Sequence, residues 1–513
     1  MTVAMEAQLG ARGPAWRDVA TKVVLALASL GILFIAWIMY GVGQALFGAC
    51  LVMLALAFFV IYGFRRYYFA RFIFPGAAAV LLFVAFPVIY TIYLGFTNYS
   101  SFNLLTFERA QEVLLSSRVI DEDSRRPFAL VGEGDEYRVF LPEGEGGFLS
   151  DPFPLDGEPI SVSAAAVDAP PAATLEMRDV VALRDPLSRV DVTLPNEMVL
   201  RASGLREFAF VEPVFQEIED GRLENVQTGA ILTPNQNVGF YQTAEGTNVT
   251  PGWRVFIGSG NFERIAQSQG IRGPLVGIFI WTITFAVAST VLCFAVGLLL
   301  ATILQWEHMR FRALYRILLI LPYAVPGFIS ILVFRGLFNQ NFGEINLILS
   351  AVFGIRPSWF TDPFLARAML LMVNVWLGYP YMMLLAMGFL QSVPQEQKKA
   401  AILEGAGALR VFFTITLPQI LPPFLPLLLA TFAFNFNNIV LILLLTTGGP
   451  DIPGTVIPAG QTDILGSFTF RIAFMDSGQQ FGLAGAITLI IFLVVSAIAY
   501  ANFVALRRTA QKG

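Results

Sequence analysis

Residues 399–418 read KAAILEGAGALRVFFTITLP. This stretch reads as a hydrophilic helix, a glycine-broken turn and the start of a second helix. A glycine at such a break permits a backbone conformation that a side chain would strain. On either side stand apolar runs, 368–392 and 420–446, each long enough to cross a bilayer. The segment 393–419 therefore reads as a structured loop joining two membrane helices, and it sets the fold class.

Outward from this loop the chain stays apolar. Its 513 residues are 56% hydrophobic and only 14% charged, too greasy for a soluble surface. Apolar stretches reach the roughly 20 residues needed to cross a core about 30 Å thick; they lie at 21–40, 43–63, 73–96, 275–304, 315–338, 368–392, 420–446 and 482–505. The expected fold is an all-α polytopic membrane protein of eight transmembrane helices. The first run is an anchor, because a second apolar run follows at once where a signal peptide would end in a cleavage site. Cys50 and Cys293 sit on separate spans and give no disulfide framework, so they read as small hydrophobes.

Charge is placed unevenly. Between Ser101 and Gly273 fall 27 of the 37 acidic residues but only 14 of the 33 basic ones, and none of the four lysines. The remaining bases recur at every second membrane exit: Arg12, Arg17 and Lys22; Arg65, Arg66 and Arg71; Arg310, Arg312 and Arg316; Lys398, Lys399 and Arg410; Arg507, Arg508 and Lys512. The positive-inside rule makes these five segments cytoplasmic, with both termini, and the 393–419 loop among them. The stretch 98–274 must then lie outside. Its short alternating runs, Tyr137–Leu141, Ile160–Ser163 and Val190–Leu194, punctuated by Gly-Glu-Gly, Asp-Pro and Pro-Pro, predict a β-rich domain inserted after the third helix. Three regions result: 1–97 with three spans, 98–274 outside, and 275–513 with five spans.

Several chemistries find no residues. A phosphate-cradling loop ends in Gly-Lys, and no lysine here follows a glycine, so any ATP hydrolysis belongs to another polypeptide. The sole histidine, His308, stands in a basic exit and reads as a solvated interfacial residue; there is no Cys/His cluster, and no metal is expected. No nucleic-acid partner is expected either. Ion-coupled transporters place ionisable groups inside spans, and the central parts of these spans lack them.

Neutral polar residues are patterned instead. Asn374, Leu377, Gly378 and Tyr381 share one face of the sixth span, and Thr431, Phe434, Asn435 and Asn438 repeat the same spacing on the seventh. Amides and ring faces together equip a site for a neutral polyhydroxylated ligand such as a sugar. Membrane asparagines also bond helix to helix, and Asn437, off the stripe, reads as such glue. Pro322, Pro326 and Pro380 predict kinks or unwound turns, which makes Tyr323 a third wall of the same cavity.

With these residues in hand, the chain resembles the permeases of binding-protein-dependent ABC importers, in particular the maltose/maltodextrin branch. Gly405, Ile415, Leu417 and Pro418 match the spacing of the family's EAA loop, although Lys399 stands where Glu is usual and Glu404 where Asp is common. Further likeness lies in Phe96-Thr97-Asn98-Tyr99-Ser100-Ser101, Leu321 to Val325, Asn374 to Met383 and Phe432 to Pro450. The resemblance implies a type I importer permease in a bacterial inner membrane, with the large domain in the periplasm. It implies that Tyr323, Asn374, Leu377, Gly378, Tyr381, Thr431, Phe434, Asn435 and Asn438 contact the sugar, Thr431 replacing a Ser and Gly327 standing where a Ser adds a hydroxyl. It implies that Lys399, Ala400, Ala401, Glu404, Gly405, Ala406, Leu417 and Pro418 couple to an ATPase. The implied partners are a second permease subunit, an ATPase dimer that uses ATP and Mg, a periplasmic sugar-binding protein, the sugar and the bilayer, with no cofactor in this chain. The alternatives are the same machine with another oligosaccharide or polyol as cargo, an ion-coupled sugar symporter, or an anchored receptor whose outer domain alone binds ligand.

Overall fold

A computed structural model describes residues 15–510, apart from 122–123, 134–135, 204–206 and 307–308. His308, Arg12 and Lys512 lie outside the described residues, and so do the expectations resting on them. The chain forms two compact units, one of residues up to Ser101 with those from Phe256 onward, the other Phe102–Val255.

In the first unit apolar composition dictates helix, since lipid offers backbone groups no partners and a helix satisfies them internally. Among the described residues six helices are long and apolar enough to cross: Lys22–Gly41, Ala45–Gly63, Ala70–Gly95, Gln269–Leu304, Pro363–Gln391 and Ala408–Phe436. A pair, Arg312–Ala324 and Gly327–Leu337, passes the same test together but is bent by 90°, the geometry of a broken span or a re-entrant loop. Among the described residues, six of the eight expected spans are thus single helices, and the fifth, where Pro322 and Pro326 predict a kink, is the bent pair. Pro322 and Pro326 explain the bend: Leu321–Ala324 tightens into a 3-10 turn, and Val325, preceding Pro326, is extended as such residues must be. The last stretch is one helix over Phe481–Ala510, which covers the eighth expected span, 482–505.

Two further expectations change. The run 420–446 is not one helix: it ends at Phe436 and restarts at Ile439–Leu445. Asn438 causes the restart by accepting the Leu441 N–H at its side-chain oxygen (3.4 Å), an N-cap in place of a continued turn. Pro380, expected to break its span, lies inside the unbroken helix Pro363–Gln391. That helix is clamped against Gln269–Leu304 by glycines: a Cβ on Gly297 would stand 2.6 Å from Met382 Cβ, and one on Gly378 would stand 2.7 Å from Cys293 Sγ. Such close backbone approach is the usual packing of membrane helices. Cys293 and Cys50 are both buried and free.

The other unit is β-rich. One ten-stranded sheet runs, edge to edge, through Arg118–Ile120, Glu207–Pro213, Val199–Ala202, Val190–Thr193, Ile160–Val167, Gly146–Ser150, Glu136–Glu143 and Ala129–Glu133, with two short strands off this path. Its pairings are antiparallel except Ile160–Val167 with Val190–Thr193, joined through the helices Met177–Ala182 and Arg184–Leu187. Alternation puts Val162, Val190, Val192 and Leu200 into a core with Leu130, Val139, Leu141 and Phe208. A five-stranded sheet from Phe215 to Val249 packs Leu223, Leu232 and Tyr241 on Trp253 and on the helix Phe107–Ser116. This unit is narrower than 98–274. The flanks belong with the helices, where Asn261 donates to the carbonyls of Gly95 (3.0 Å) and Thr97 (2.8 Å), closing the end of the helix Ala70–Gly95.

Candidate functional site

The helix Gln395–Leu403 stops because Gly405 takes a left-handed conformation, φ +85°. The Gly405 N–H donates to Ile402 O (3.0 Å) and the Ala406 N–H to Ala401 O (2.9 Å), the paired bonds of a Schellman ending. After Gly407 the chain re-enters helix at Ala408 and passes through a π-turn, Phe412–Thr416, into Leu417–Phe436. Gln419 donates to Gln397 (2.6 Å) and ties the two arms together. Lys399, Ala400, Glu404, Gly405 and Pro418 are exposed, while Ala401, Ala406 and Leu417 are half-buried. Leu403 is 88% exposed and Leu409 76% exposed, so the turn carries two bare apolar side chains on either side of Gly405. A soluble loop seldom spends leucines this way unless another surface covers them.

Deeper in the unit three asparagines converge. Asn374 donates to Asn435 Oδ1 (2.9 Å), and Asn438 donates to Asn374 Oδ1 (3.3 Å). Asn374 and Asn435 are buried, 4% and 3% exposed. Asn438 joins from the helix break, not from a continuous helical face. The cluster also includes a residue absent from the expected stripes, Thr290 on the helix Gln269–Leu304, which accepts from Asn435 Nδ2 (3.4 Å). A hydroxyl amid an apolar run was its only signal, and the helix period of one segment cannot say which neighbour it faces.

The other expected residues are placed less uniformly. Phe434 (67% exposed), Tyr323 (56%) and Tyr381 (38%) present free ring surface. Tyr323 stands in the 3-10 turn that packs on the helix Pro363–Gln391. Leu377 packs into the core around Trp281 and Leu441, Gly378 faces Cys293, and Thr431 spends its hydroxyl on Leu427 O (2.9 Å). Asn437, expected to glue helices, is exposed, and among the described residues its amide makes no such bond. That interhelical role falls to Asn374, Asn435 and Asn438.

Sequence patterning also missed a charge cluster between Thr446 and Asp476. Arg471 donates to Asp463 Oδ2 (2.6 Å) and Asp451 Oδ1 (3.0 Å). Asp463 is fully buried and also accepts from Gly460 N and Ser467 Oγ, each at 2.8 Å. Burial pushes its carboxyl above the ordinary range, while Arg471 and these bonds pull it back. Gly448, φ +87°, is required here, because a Cβ would stand 2.3 Å from Asp463 Oδ1.

Residues 293–509 match the sequence model of the binding-protein-dependent transport system inner membrane component, and residues 105–258 match that of the maltose transport system permease protein MalF P2 domain. With its apolar helices and exposed helix–glycine–helix turn, the protein is a multi-pass inner-membrane permease subunit of a binding-protein-dependent ABC importer, a transporter component and not an enzyme. Maltose/maltodextrin transport system permease protein MalF of Klebsiella aerogenes is 46% identical over 493 residues, covering 94% of this chain and 96% of that protein. The Escherichia coli protein of the same name is 46% identical over 502 residues, covering 96% of this chain and 98% of its own length. The chain belongs to the MalF family. Among solved structures, a bacterial ABC transporter involved in the import of the acidic polysaccharide alginate is similar with a TM-score of 0.42 and 21% identity, over 49% of this chain and 84% of that one.

Proposed function

We propose that this chain is the permease subunit that carries maltose/maltodextrin-type α-glucosides through an ATP-driven importer. The convergence of Asn374, Asn435 and Asn438 in the interior of the helical unit carries the reading. A sugar needs amide donors and acceptors for its hydroxyls and ring faces for its apolar sides, and the exposed Tyr323, Tyr381 and Phe434 supply the rings in this reading. Leu377, Gly378 and Thr431 complete the walls. Lys399, Ala400, Ala401, Glu404, Gly405, Ala406, Leu417 and Pro418 form the surface that docks on the ATPase. Its partners are a MalG-like second permease subunit, two MalK-like ATPase copies that use ATP and Mg, and a periplasmic sugar-binding protein that the 102–255 unit helps to hold. Both chain termini face the cytoplasm.

Uptake of labelled maltose into proteoliposomes holding the assembled transporter tests this reading. Asn435→Ala leaves Asn374 and Thr290 without their partner, and one buried unpaired group costs about 1–3 kcal/mol. Uptake falls about tenfold or more by that figure, while binding-protein-stimulated ATP hydrolysis survives. Asn437→Ala transports normally. Normal uptake by Asn435→Ala together with loss in Asn437→Ala would put the site on another face.

A further inference from the structure

The asparagine cluster is a directed chain with a backbone group at each end. At one end the Leu441 N–H donates to Asn438 Oδ1 (3.4 Å), which turns the Asn438 amino group toward Asn374. At the other end the Thr290 hydroxyl donates to Ala286 O (2.7 Å). A carbonyl only accepts, so the Thr290 proton is committed, and its oxygen meets the cluster with lone pairs alone. Asn435 must then turn its amino group to Thr290 and its oxygen to Asn374. Asn374 must in turn give its amino group to Asn435 (2.9 Å) and its oxygen to Asn438 (3.3 Å). Every donor points the same way, from Leu441 toward Ala286. The order follows from the two backbone ends, whichever way an amide is drawn.

We propose that Thr290 is a positioning residue of the sugar site: by accepting from Asn435 it holds the last amide of the chain in the order that the Leu441 N–H sets from the other end, and so fixes which face of Asn435 offers its oxygen and which its nitrogen to a given sugar hydroxyl. The proposal rests on the reading that these asparagines bind the sugar. Thr290 is 6% exposed and lies on a helix that carries none of the expected sugar contacts. It acts through Asn435. Without its oxygen the Asn435 amino group loses its acceptor, and the amide is held by Asn374 alone.

Thr290→Val keeps the shape and removes the acceptor; Thr290→Ser keeps the acceptor and removes only a methyl group. In proteoliposomes with the assembled transporter, the binding protein and labelled maltose, Thr290→Val is expected to lower uptake about fivefold, the equivalent of one hydrogen bond lost. Thr290→Ser is expected to restore it. Assembled complex and binding-protein-stimulated ATP hydrolysis, measured on the same preparations, stay at the parent level in both. In an Asn435→Ala background, Thr290→Val should add no further loss. Parent-level uptake by Thr290→Val, equal loss in the Val and Ser variants, or an additive loss in the double variant would each overturn the positioning role. Parent-level uptake by Asn435→Ala alone would instead overturn the sugar-site reading beneath it.

Discussion

The Gly405→Asp variant is expected to reach the membrane, fold, and fail to transport. In the chain itself the change is mild. A Cβ on Gly405 meets nothing within 4 Å, and φ +85° is a conformation that Asp visits more readily than most residues. The strain of a side chain there is about 1–2 kcal/mol, at an exposed turn. If the turn docks on the ATPase as proposed, the damage lies at that contact. Leu403 and Leu409 flank Gly405 as bare apolar side chains, and a carboxylate set between them would be buried, unpaired, when the ATPase covers the turn. An uncompensated buried charge costs about 3–5 kcal/mol, enough to reduce docking a hundredfold or more. Gly405→Ala carries the backbone strain without the charge and should lose far less. Membrane content, co-purification of the ATPase and maltose uptake check this together, and normal uptake by Gly405→Asp would mean that the turn is not the docking element.

The largest expected loss of stability comes from Arg471→Met. Asp463 is 0% exposed at its side chain and has Arg471 as its ion-pair partner, with Asp451, 78% exposed, sharing the same guanidinium. Removing Arg471 strands a buried carboxylate, a loss of about 3–5 kcal/mol. Losing the counter-charge also drives the folded-state pKa of Asp463 further up. Stability held by a carboxyl with a raised folded pKa is present below its unfolded pKa and drains away as pH rises through the folded one. The thermal melting deficit of Arg471→Met should therefore be smaller at acidic pH than at neutral pH. Asp463→Asn combined with Arg471→Met should recover much of the loss, since no charge is then stranded. Arg471→Lys cannot fork to both carboxylates and should recover only part. A deficit that did not shrink on acidification would assign the loss to packing.

Local signals were legible and packing was not. The helix–Gly405–helix turn was readable because glycine chemistry and helix periodicity act within a few residues. The bend at Pro322 and Pro326 was readable for the same reason, and so was the β-rich texture around Ile160 and Val190. The failures all depend on a neighbour that the local pattern does not name. Pro380 is absorbed in a helix clamped along its length by glycine contacts. Asn438 leaves the helical stripe because its own side chain caps the next helix. Thr290, over 80 residues before Asn374, enters the cluster from another helix, and Asp463 meets Arg471 against Gly448 and Gly460, whose loop no helix or strand period describes.

The central claim, that a sugar sits among these asparagines, is tested most directly by a density map of the assembled transporter trapped with maltose. The amides that now satisfy one another must open to receive hydroxyls. The expected result is sugar within hydrogen-bond reach of Asn374, Asn435 and Asn438, with the 2.9 Å contact between Asn374 and Asn435 parted or shared with a hydroxyl. Maltose density elsewhere in the complex, with the chain from Leu441 to Thr290 intact, would contradict it.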